Sequence, residues 1–412
     1  MIDVIKEIKG NYISNRECDF IKILFSESQK AIFDKKEKVI IYGAGSAGLD
    51  IANCLKLHEV EILCFCDQKP SYGAKLMGLE VISPEELIQN HKNTFIVIGV
   101  QRYKCEIFKF LKEQKFTRVG IIENDEQFYY YLQFPRWKID IQSLECDSDL
   151  LNEAYDLLGD EKSKKIFIGR LSALTSYADF GLYKKIMNLS DCPKTLSITK
   201  KIFASSFENE MYFENDLIKL FDKCSLVDCG AYDGDSVFAF QNAMKLKNFQ
   251  CGEIYCFEPD QSNFKKLKLN FGGAEGVTLN NSGVWDKEET LEFSSSELTY
   301  PTEAYIRQGE IDKVINVSSV DVMCKVNSID NVIYPDKVDL IKMDVEGSEL
   351  MALKGASNTI LKWQPQLIIS AYHKGSDIYK LVLLINKIYP KYKIYLRQFS
   401  FSWSETVAIA KV

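Results

Sequence analysis

The chain repeats one pattern along much of its length: a short apolar run ends at a glycine or an acidic residue, and a helical segment follows. One series of such runs begins at Val39–Tyr42 and another at Ser225–Asp228. Continuously apolar strands that alternate with helices are typical of parallel sheets. The pattern therefore predicts an α/β protein with two Rossmann-like units.

The length agrees with this division, because 412 residues correspond to two or three domains of about 150 residues each. The first series of strands closes near residue 125, and the second resumes after residue 210. We predict a Rossmann-like nucleotide-binding domain at residues 1–125, a helical connector at 126–210 and a second α/β domain at 211–412.

Charge and composition exclude several classes of protein. The net charge of −7 argues against a nucleic-acid partner, and three histidines are too few for a multi-histidine zinc site. The 12 cysteines form no C-x-x-C pair, which favours buried free thiols in a reducing compartment. The N-terminus is charged where a signal peptide is apolar, and apolar runs of about 18 residues are absent. We expect a cytoplasmic protein without a transmembrane segment.

Seven apolar segments follow residue 210. They are Ser225–Asp228, Glu253–Glu258, Val277–Asn280, Asp339–Asp344, Gln366–Ser370, Tyr392–Arg397 and Thr406–Ala410. The last two are joined by a short connection, so they must be antiparallel, since a parallel pair needs a long crossover. We predict a mostly parallel seven-stranded sheet with a terminal antiparallel hairpin.

The first of these strands runs into a loop rich in glycine and aspartate. Ligands of open α/β sheets bind beyond the carboxyl ends of the strands, where glycine lets the backbone approach them closely. Three aspartates would repel a pyrophosphate but suit a cation, such as the sulfonium and ammonium groups of S-adenosylmethionine. The candidate cofactor-binding residues are Asp228, Gly230, Ala231, Tyr232, Asp233, Gly234 and Asp235.

The next two strand ends extend the candidate cofactor site. Glu258 ends the second strand, where a carboxylate can accept hydrogen bonds from both hydroxyls of a ribose. The alternative for Glu258 is an N-cap or a surface salt bridge of the following helix. Ser282 follows the third strand, where the edge of an adenine would pass.

Charged residues alternate at the end of the fourth strand. Lys342, Asp344 and Glu346 would share one face of an extended segment, with Asp344 near the transferred group. The alternative is an internal salt bridge between Lys342 and Asp344. Two carboxylates could also hold Mg²⁺, but no third ligand is identifiable and we predict no metal.

His373 follows the fifth strand, on the same rim as Asp344. A neutral imidazole with a pKa near 6.5 can accept a hydroxyl proton. His373 is therefore a candidate general base or substrate ligand, and a purely structural histidine is the alternative.

The motifs VDCGAYDGDSV, FEPD, LIKMDVEGSELMALKGA and AYHK resemble the FkbM family of S-adenosylmethionine-dependent methyltransferases over about residues 211–412. The resemblance implies a class I methyltransferase fold and methyl transfer to a hydroxyl of a sugar, glycan or small metabolite. It also implies that the cofactor is bound by Asp228, Gly230, Asp233 and Glu258, and that the acceptor is faced by Asp344, Glu346 and His373.

The N-terminal domain carries a second motif. Gly43, Gly45 and Gly48 follow a strand in G-x-G-x-x-G spacing, Ser46 begins the helix, and Asp67 follows about 20 residues later, as in the dinucleotide fingerprint. This region resembles the nucleotide-binding domains of bacterial sugar acetyltransferases, which implies a second ligand, either a UDP-sugar or an NAD-like nucleotide. The alternative is a Rossmann fold kept for packing or oligomerisation.

These observations predict an O-methyltransferase that acts on a sugar hydroxyl of a bacterial surface glycan or on its nucleotide-sugar precursor. A methyltransferase for another small-molecule hydroxyl remains an alternative, as does a nucleotide-sugar oxidoreductase or epimerase that uses the N-terminal domain. A non-catalytic binding protein is the alternative outside enzymes. An oligomer is compatible with each of these functions.

Overall fold

The structure is a computed structural model. It describes residues 2–11, 38–57, 59–68, 75–100, 103–122, 139–175, 185, 188–189, 209–295, 305–306, 320–334, 336–399 and 405–412. The chain forms two compact units: a large unit of residues 1–10, 139–171 and 186–412, and a small unit of residues 11–138 and 172–185. Helix α1 (Val4–Asn11) buries Val4 and Ile8 in the core of the large unit. None of the helices in the described ranges is long and apolar enough to cross a membrane.

The small unit is built around one sheet. Its strands are β1 (Val39–Tyr42), β2 (Ile62–Cys66), β3 (Lys75–Leu76), β4 (Leu79–Ile82), β5 (Phe95–Ile98) and β6 (Val119–Gly120), and its helices are α2 (Ser46–Leu57), α3 (Pro84–Asn90) and α4 (Lys104–Glu113). The strand order is β3-β4-β2-β1-β5-β6, and only the β3–β4 pair is antiparallel. Since β1 lies between β2 and β5, the loop after β1 lies at the point where the strand order reverses.

The large unit contains the seven predicted strands in one sheet. They are β7 (Cys224–Cys229), β8 (Cys251–Phe257), β9 (Val277–Asn280), β14 (Leu340–Met343), β15 (Gln366–Ser370), β16 (Lys393–Gln398) and β17 (Thr406–Lys411). Their order is β16-β17-β15-β14-β7-β8-β9, in which β17 is antiparallel to both of its neighbours. The predicted α/β class and the terminal antiparallel hairpin are confirmed. The order reverses between β7 and β14, so the loops after these two strands border one crevice.

A second, four-stranded sheet of the large unit was not predicted. Its strands are β10 (Gly283–Val284), β11 (Glu289–Ser295), β12 (Tyr305–Ile306) and β13 (Val320–Asn327), in the order β10-β13-β11-β12. They form an insertion between β9 and β14. Two of the strands have only two residues, and such short elements have no recognisable period in a sequence.

Helices cover the large sheet. They are α5 (Ile141–Cys146), α6 (Ser148–Asp156), α7 (Glu161–Thr175), a π-helix (Asn209–Phe213), α8 (Asp235–Leu246), α9 (Gln261–Phe271), α10 (Ile329–Val332), α11 (Glu349–Lys354), α12 (Ser357–Trp363) and α13 (Asp377–Ile388).

Part of the predicted connector packs onto the large sheet. The Gly159 N–H donates to the Ile394 carbonyl at 2.8 Å, and the Arg397 guanidinium forms a salt bridge with Asp160 at 2.6 Å. Residues 139–171 are therefore part of the large unit. The boundaries that we placed at residues 125 and 210 stay a prediction.

Candidate functional site

The loop after β7 lies against the end of β14, and this close approach requires glycine. Gly230 has φ +80°, and a Cβ atom on it would lie 1.9 Å from the carbonyl oxygen of Asp344. Gly234 has φ +94°, and its Cβ would lie 2.3 Å from the ring of Phe271. Tyr232 adopts φ +49°, an uncommon value for a residue with a side chain. The loop is thus held in one conformation beside Asp344.

A buried ion pair lies under this loop. Asp228 and Lys342 are register neighbours on β7 and β14, and the Lys342 Nζ lies 3.1 Å from the Asp228 Oδ1. Lys342 also donates to the Gly230 carbonyl at 2.9 Å, and the Ser236 hydroxyl donates to the Asp228 Oδ2 at 2.6 Å. Asp228 is fully buried and contacts the loop and the start of α8. Its predicted direct role in cofactor binding stays a prediction.

Glu258 lies at the opposite side of the same loop. Its Oε2 accepts the Tyr232 N–H and its Oε1 accepts the Asp260 N–H, each at 2.9 Å. Burial raises the pKa of Glu258 to about 7, although these hydrogen bonds act against the shift. The N-cap of α9 is Asp260, so Glu258 does not have the capping role that was its alternative.

The remaining predicted cofactor residues surround the loop. Ala231 is buried, Asp233 is half-buried, and Ser282 is half-buried between β9 and β10. Burial raises the pKa of the half-buried Asp235 to about 6, despite the opposing charge of Lys342.

Four ionisable side chains meet at the ends of β14 and β15. His373 Nε2 lies 3.5 Å from the Asp344 Oδ1 and 3.3 Å from the Glu346 Oε2. On the other side of the ring, His373 Nδ1 lies 2.8 Å from the Glu349 Oε1. The three predicted catalytic residues are therefore adjacent, and we call these four residues the acid–histidine cluster.

Within this cluster, Asp344 has two tyrosine partners. The hydroxyls of Tyr212 and Tyr372 each donate to one of its carboxylate oxygens at 3.1 Å. Burial acts to raise the pKa of Asp344, but the charges of His373 and Lys342 and its hydrogen bonds outweigh burial and hold the pKa below its usual value. Asp344 is thus a firmly held carboxylate and a weak proton acceptor.

Glu346 occupies a different environment, because the strand ends before it. It has φ +50° and Gly347 has φ +93°, so the alternation that we predicted from Lys342 does not reach Glu346. The Glu346 side chain is 36% exposed, against 21% for Asp344 and 8% for His373. Burial raises the pKa of Glu346, as do the neighbouring carboxylates, whereas the His373 charge partly offsets the shift. Glu346 is therefore the most accessible of the three predicted residues and the more basic of the two carboxylates among them.

The surroundings of His373 favour its protonated form. Burial alone would lower its pKa, but Glu349 and Glu346 outweigh burial and raise it well above 6.5. The neutral imidazole that we expected stays a prediction, and this direction of the pKa disfavours it. Both ring nitrogens face carboxylate oxygens.

Comparison with known proteins agrees with this geometry. Residues 228–388, which include the loop after β7, Glu258 and the acid–histidine cluster, match the family model of the methyltransferase FkbM domain. The chain carries an FkbM-type methyltransferase domain. It is therefore an enzyme of the methyltransferase class. Residues 35–122 match a different family, described as C2185-like, N-terminal, and that match does not test the resemblance to sugar acetyltransferases.

The fold of the whole chain also has a known counterpart. The crystal structure of the methyltransferase FkbM from Methylobacillus flagellatus has a TM-score of 0.60 at 18% identity, covering 99% of this chain and 98% of that one, which confirms the fold. Fibrillarin from Aeropyrum pernix in complex with S-adenosyl-L-methionine has a TM-score of 0.28 at 10% identity, covering 48% of this chain and 70% of that one. No curated protein matches the sequence.

The FkbM domain also contains a possible metal-ligand set. Asp344, Glu349 and His373 each offer one donor atom, and these atoms lie within 4.8 Å of one another. Glu349 is the third ligand that we could not identify from the sequence. In the structure the three side chains interact with one another, and the absence of a metal stays a prediction.

Several residues of the site were missed by sequence reasoning. Tyr212 lies in the π-helix before β7, Tyr372 is next to His373, and Glu349 begins α11. Glu405 precedes β17, and burial and the Asp344 charge raise its pKa to about 8. The available signal was that Glu349 belongs to the motif DVEGSE and Tyr372 to the motif AYHK, both of which carried the family resemblance.

The glycine motif of the small unit serves backbone packing. A Cβ on Gly48 would lie 1.9 Å from the Gly43 carbonyl oxygen, and one on Gly43 would lie 2.4 Å from Val100, whereas Gly45 has no neighbour within 4 Å. Asp67 accepts the N–H of Ala44 at 2.8 Å, and α2 begins at Ser46. The nucleotide ligand of this loop stays a prediction.

Proposed function

We propose that the FkbM domain is an S-adenosylmethionine-dependent O-methyltransferase for a sugar hydroxyl, carried by a bacterial surface glycan or by its nucleotide-sugar precursor. The observation that supports this most is the contact between the loop after β7 and the acid–histidine cluster, where a Cβ on Gly230 would lie 1.9 Å from the Asp344 carbonyl oxygen. A cofactor on the loop and an acceptor on the cluster would be immediate neighbours.

The charges of the loop suit this cofactor. S-adenosylmethionine is a cation that supplies an activated methyl group. Asp233 and Asp235 place negative charge at the loop, which favours a cation and disfavours a pyrophosphate. Glu258 has the position and the lone pairs to accept hydrogen bonds from ribose hydroxyls, because its carboxylate is already oriented by two backbone N–H groups.

The reaction needs a proton acceptor at the acceptor hydroxyl. S-adenosylmethionine would supply the methyl carbon, which would bond to the hydroxyl oxygen as its bond to sulfur breaks and leaves the bonding pair on the sulfur. Glu346 receives the hydroxyl proton, because it is exposed and its pKa is raised. Asp344, with two tyrosine donors, and His373, whose pKa is raised by the neighbouring carboxylates, are less suited to this role. Most of the acceleration would come from holding the hydroxyl in line with the methyl group.

A sugar acceptor agrees with the polarity of the cluster. Carboxylates accept hydrogen bonds from several hydroxyls at once, as a sugar offers, and they would repel a carboxylate or phosphate placed at the transfer position. The sugar or nucleotide-sugar substrate, the second nucleotide ligand and an oligomeric state remain parts of the proposal.

The test has two steps. Calorimetry with S-adenosylmethionine should show binding to the wild type and weaker binding to Glu258→Gln. Mass spectrometry over a panel of nucleotide-sugars, glycans and simple alcohols should then detect a product that is heavier by one methylene, with activity lost in Glu346→Gln. The exposed Glu288→Gln is the matched control. No cofactor binding would refute the function, methylation of non-sugar hydroxyls alone would refute the substrate, and NAD turnover would favour an oxidoreductase.

A further inference from the structure

We infer that Glu349 is a positioning residue for methyl transfer, which holds both the turn that carries Glu346 and the imidazole that faces it. The inference rests on the proposed function, since Glu346 is the proton acceptor there. Glu349 lies in the first turn of α11, and its side chain is fully buried. It does not reach the exposed side of the site, so it can act only through other residues.

One carboxylate oxygen of Glu349 contacts both the turn and the imidazole. Its Oε1 accepts the N–H of Val345 at 3.0 Å and that of Gly347 at 3.4 Å, the two residues that flank Glu346. The same atom lies 2.8 Å from the His373 Nδ1. A single carboxylate therefore ties the backbone on both sides of Glu346 to the ring whose other nitrogen is 3.3 Å from the Glu346 Oε2.

The turn needs such a restraint. Glu346, at φ +50°, occupies the left-handed region, which is unfavourable for a residue with a side chain. An unfavourable conformation persists only where the surroundings hold it, and such residues cluster at functional sites. Lys374 adds a second restraint, because its Nζ donates to the Gly347 carbonyl at 2.6 Å. The two contacts hold the two peptide units on either side of the Gly347 Cα.

A role in stability alone does not account for Glu349. Its Oε2 is buried without a hydrogen-bond partner, and a buried ion pair is often no more stabilising than an apolar side chain of the same shape. What the carboxylate provides is direction: two backbone N–H groups and the His373 imidazole converge on one oxygen, and each belongs to a segment next to Glu346. We therefore expect its loss to affect the reaction rate more than the fold.

The test compares Glu349→Gln with Asp339→Asn. Asp339 is a matched control, because it is also a largely buried carboxylate that accepts a backbone N–H. It lies just before the amino end of β14, away from the site, is 8% exposed and accepts the Ser225 N–H at 3.0 Å. Glu349→Gln should lower kcat by about 10- to 100-fold, the loss that a displacement near 1 Å can cause. The Kd for S-adenosylmethionine should change by less than about twofold. Asp339→Asn should lower Tm without changing kcat.

Nuclear magnetic resonance tests the same inference without turnover. The chain has three histidines, so ¹⁵N-histidine labelling gives few ring signals, and His373→Gln assigns those of His373. We expect a hydrogen-bonded Nδ1 proton in the wild type, its loss in Glu349→Gln, and faster amide exchange at Gly347 in that variant.

The outcomes separate the two proposals. A Glu349→Gln variant with wild-type kcat, or with unchanged His373 and Gly347 signals, would overturn the positioning role. A decrease in kcat accompanied by an equal loss of cofactor affinity and Tm would also overturn it. If the wild type methylates no acceptor, the proposed function fails, while the resonance experiment still decides whether Glu349 holds this turn.

Discussion

The two units contain equivalent glycine loops that differ in the charges around them. In the small unit, Asp67 at the end of β2 accepts the N–H of Ala44 at 2.8 Å. In the large unit, Glu258 at the end of β8 accepts the N–H of Tyr232 at 2.9 Å. In both units an acidic residue after the second strand holds the loop after the first. The loops therefore share their backbone arrangement.

The neighbouring strands make the difference. The small unit's β1 and β5 have the sequences VIIY and FIVI, without a charged residue. In the large unit, the corresponding strands pair Asp228 with Lys342, and β14 leads into Asp344. The same strand order thus brings a glycine loop to the point of reversal in both units, but among the described residues the two strands that border it carry charged side chains in the large unit and none in the small one.

The largest expected effect comes from breaking the buried pair. We expect Lys342→Met to lower the free energy of unfolding of the large unit by about 3–5 kcal/mol, because it leaves Asp228 buried and unpaired. Urea unfolding followed by circular dichroism measures the loss. Lys337→Met is the control, since Lys337 pairs with Asp339 at 2.8 Å but is 61% exposed, and such a surface pair contributes at most about 1 kcal/mol. Equal losses in both variants would contradict the prediction.

The next effect distinguishes the two acidic residues that hold the loops. We expect Glu258→Gln to weaken binding of S-adenosylmethionine by about 10- to 100-fold, since hydrogen bonds to a charged group contribute about 1.5–3 kcal/mol. Asp67→Asn, the equivalent change in the small unit, should leave this affinity unchanged. Calorimetry measures the affinity of both variants for S-adenosylmethionine. A comparable loss in Asp67→Asn would contradict the prediction, because it would indicate that the small unit takes part in binding the cofactor.

A smaller effect follows from the pKa of Glu258, which burial raises to about 7. Only the ionised carboxylate accepts both ribose hydroxyls, so the affinity for S-adenosylmethionine should increase by about tenfold from pH 6 to pH 8. The contribution of Glu258 to the free energy of unfolding changes with pH in the opposite direction to this affinity. The folded protein retains this proton above the ordinary pKa of 4.5, so the contribution is present below that pH and is lost as the pH rises through about 7.

Calorimetry across this range, with Glu258→Gln as the control, measures the effect. The variant should lose the part of the pH dependence that belongs to Glu258. An identical pH profile in the wild type and the variant would show that another group is responsible.

How much the sequence could predict differs between the same regions. Strands Val277–Asn280 and Gln366–Ser370 have the predicted bounds, because each has a pattern that is visible locally. Gln366–Ser370 contains a continuous apolar run, and Val277–Asn280, at the edge of the sheet, alternates apolar and polar residues. The sheet of β10–β13 was missed because its strands are defined by their pairing and not by their composition. Strands β11 and β13 pair with each other although they are distant in the sequence. Local pattern therefore predicts the central sheet and not the insertion.

The candidate site shows the same limit. The residues Asp344, Glu346 and His373 could be selected because they follow strands on one rim. The burial of Glu349 and the raised pKa of His373 could not, since both result from side chains that converge only in the folded chain. The conformation of Glu346 was predicted wrongly for a related reason: alternation in a sequence does not show where the strand ends.

The smallest expected effect concerns Gly45 of the small unit. A Cβ there meets no atom within 4 Å, so Gly45→Ala should change the free energy of unfolding by less than about 0.5 kcal/mol. Gly48→Ala is the contrast, because its Cβ would lie 1.9 Å from the Gly43 carbonyl oxygen. Urea unfolding of both variants, with UDP and NAD as binding probes, separates packing from ligand binding. If Gly45→Ala removes binding of a probe at unchanged stability, the small unit's loop approaches a ligand there. A marked loss of stability in Gly45→Ala would instead contradict the open space that the structure gives this residue.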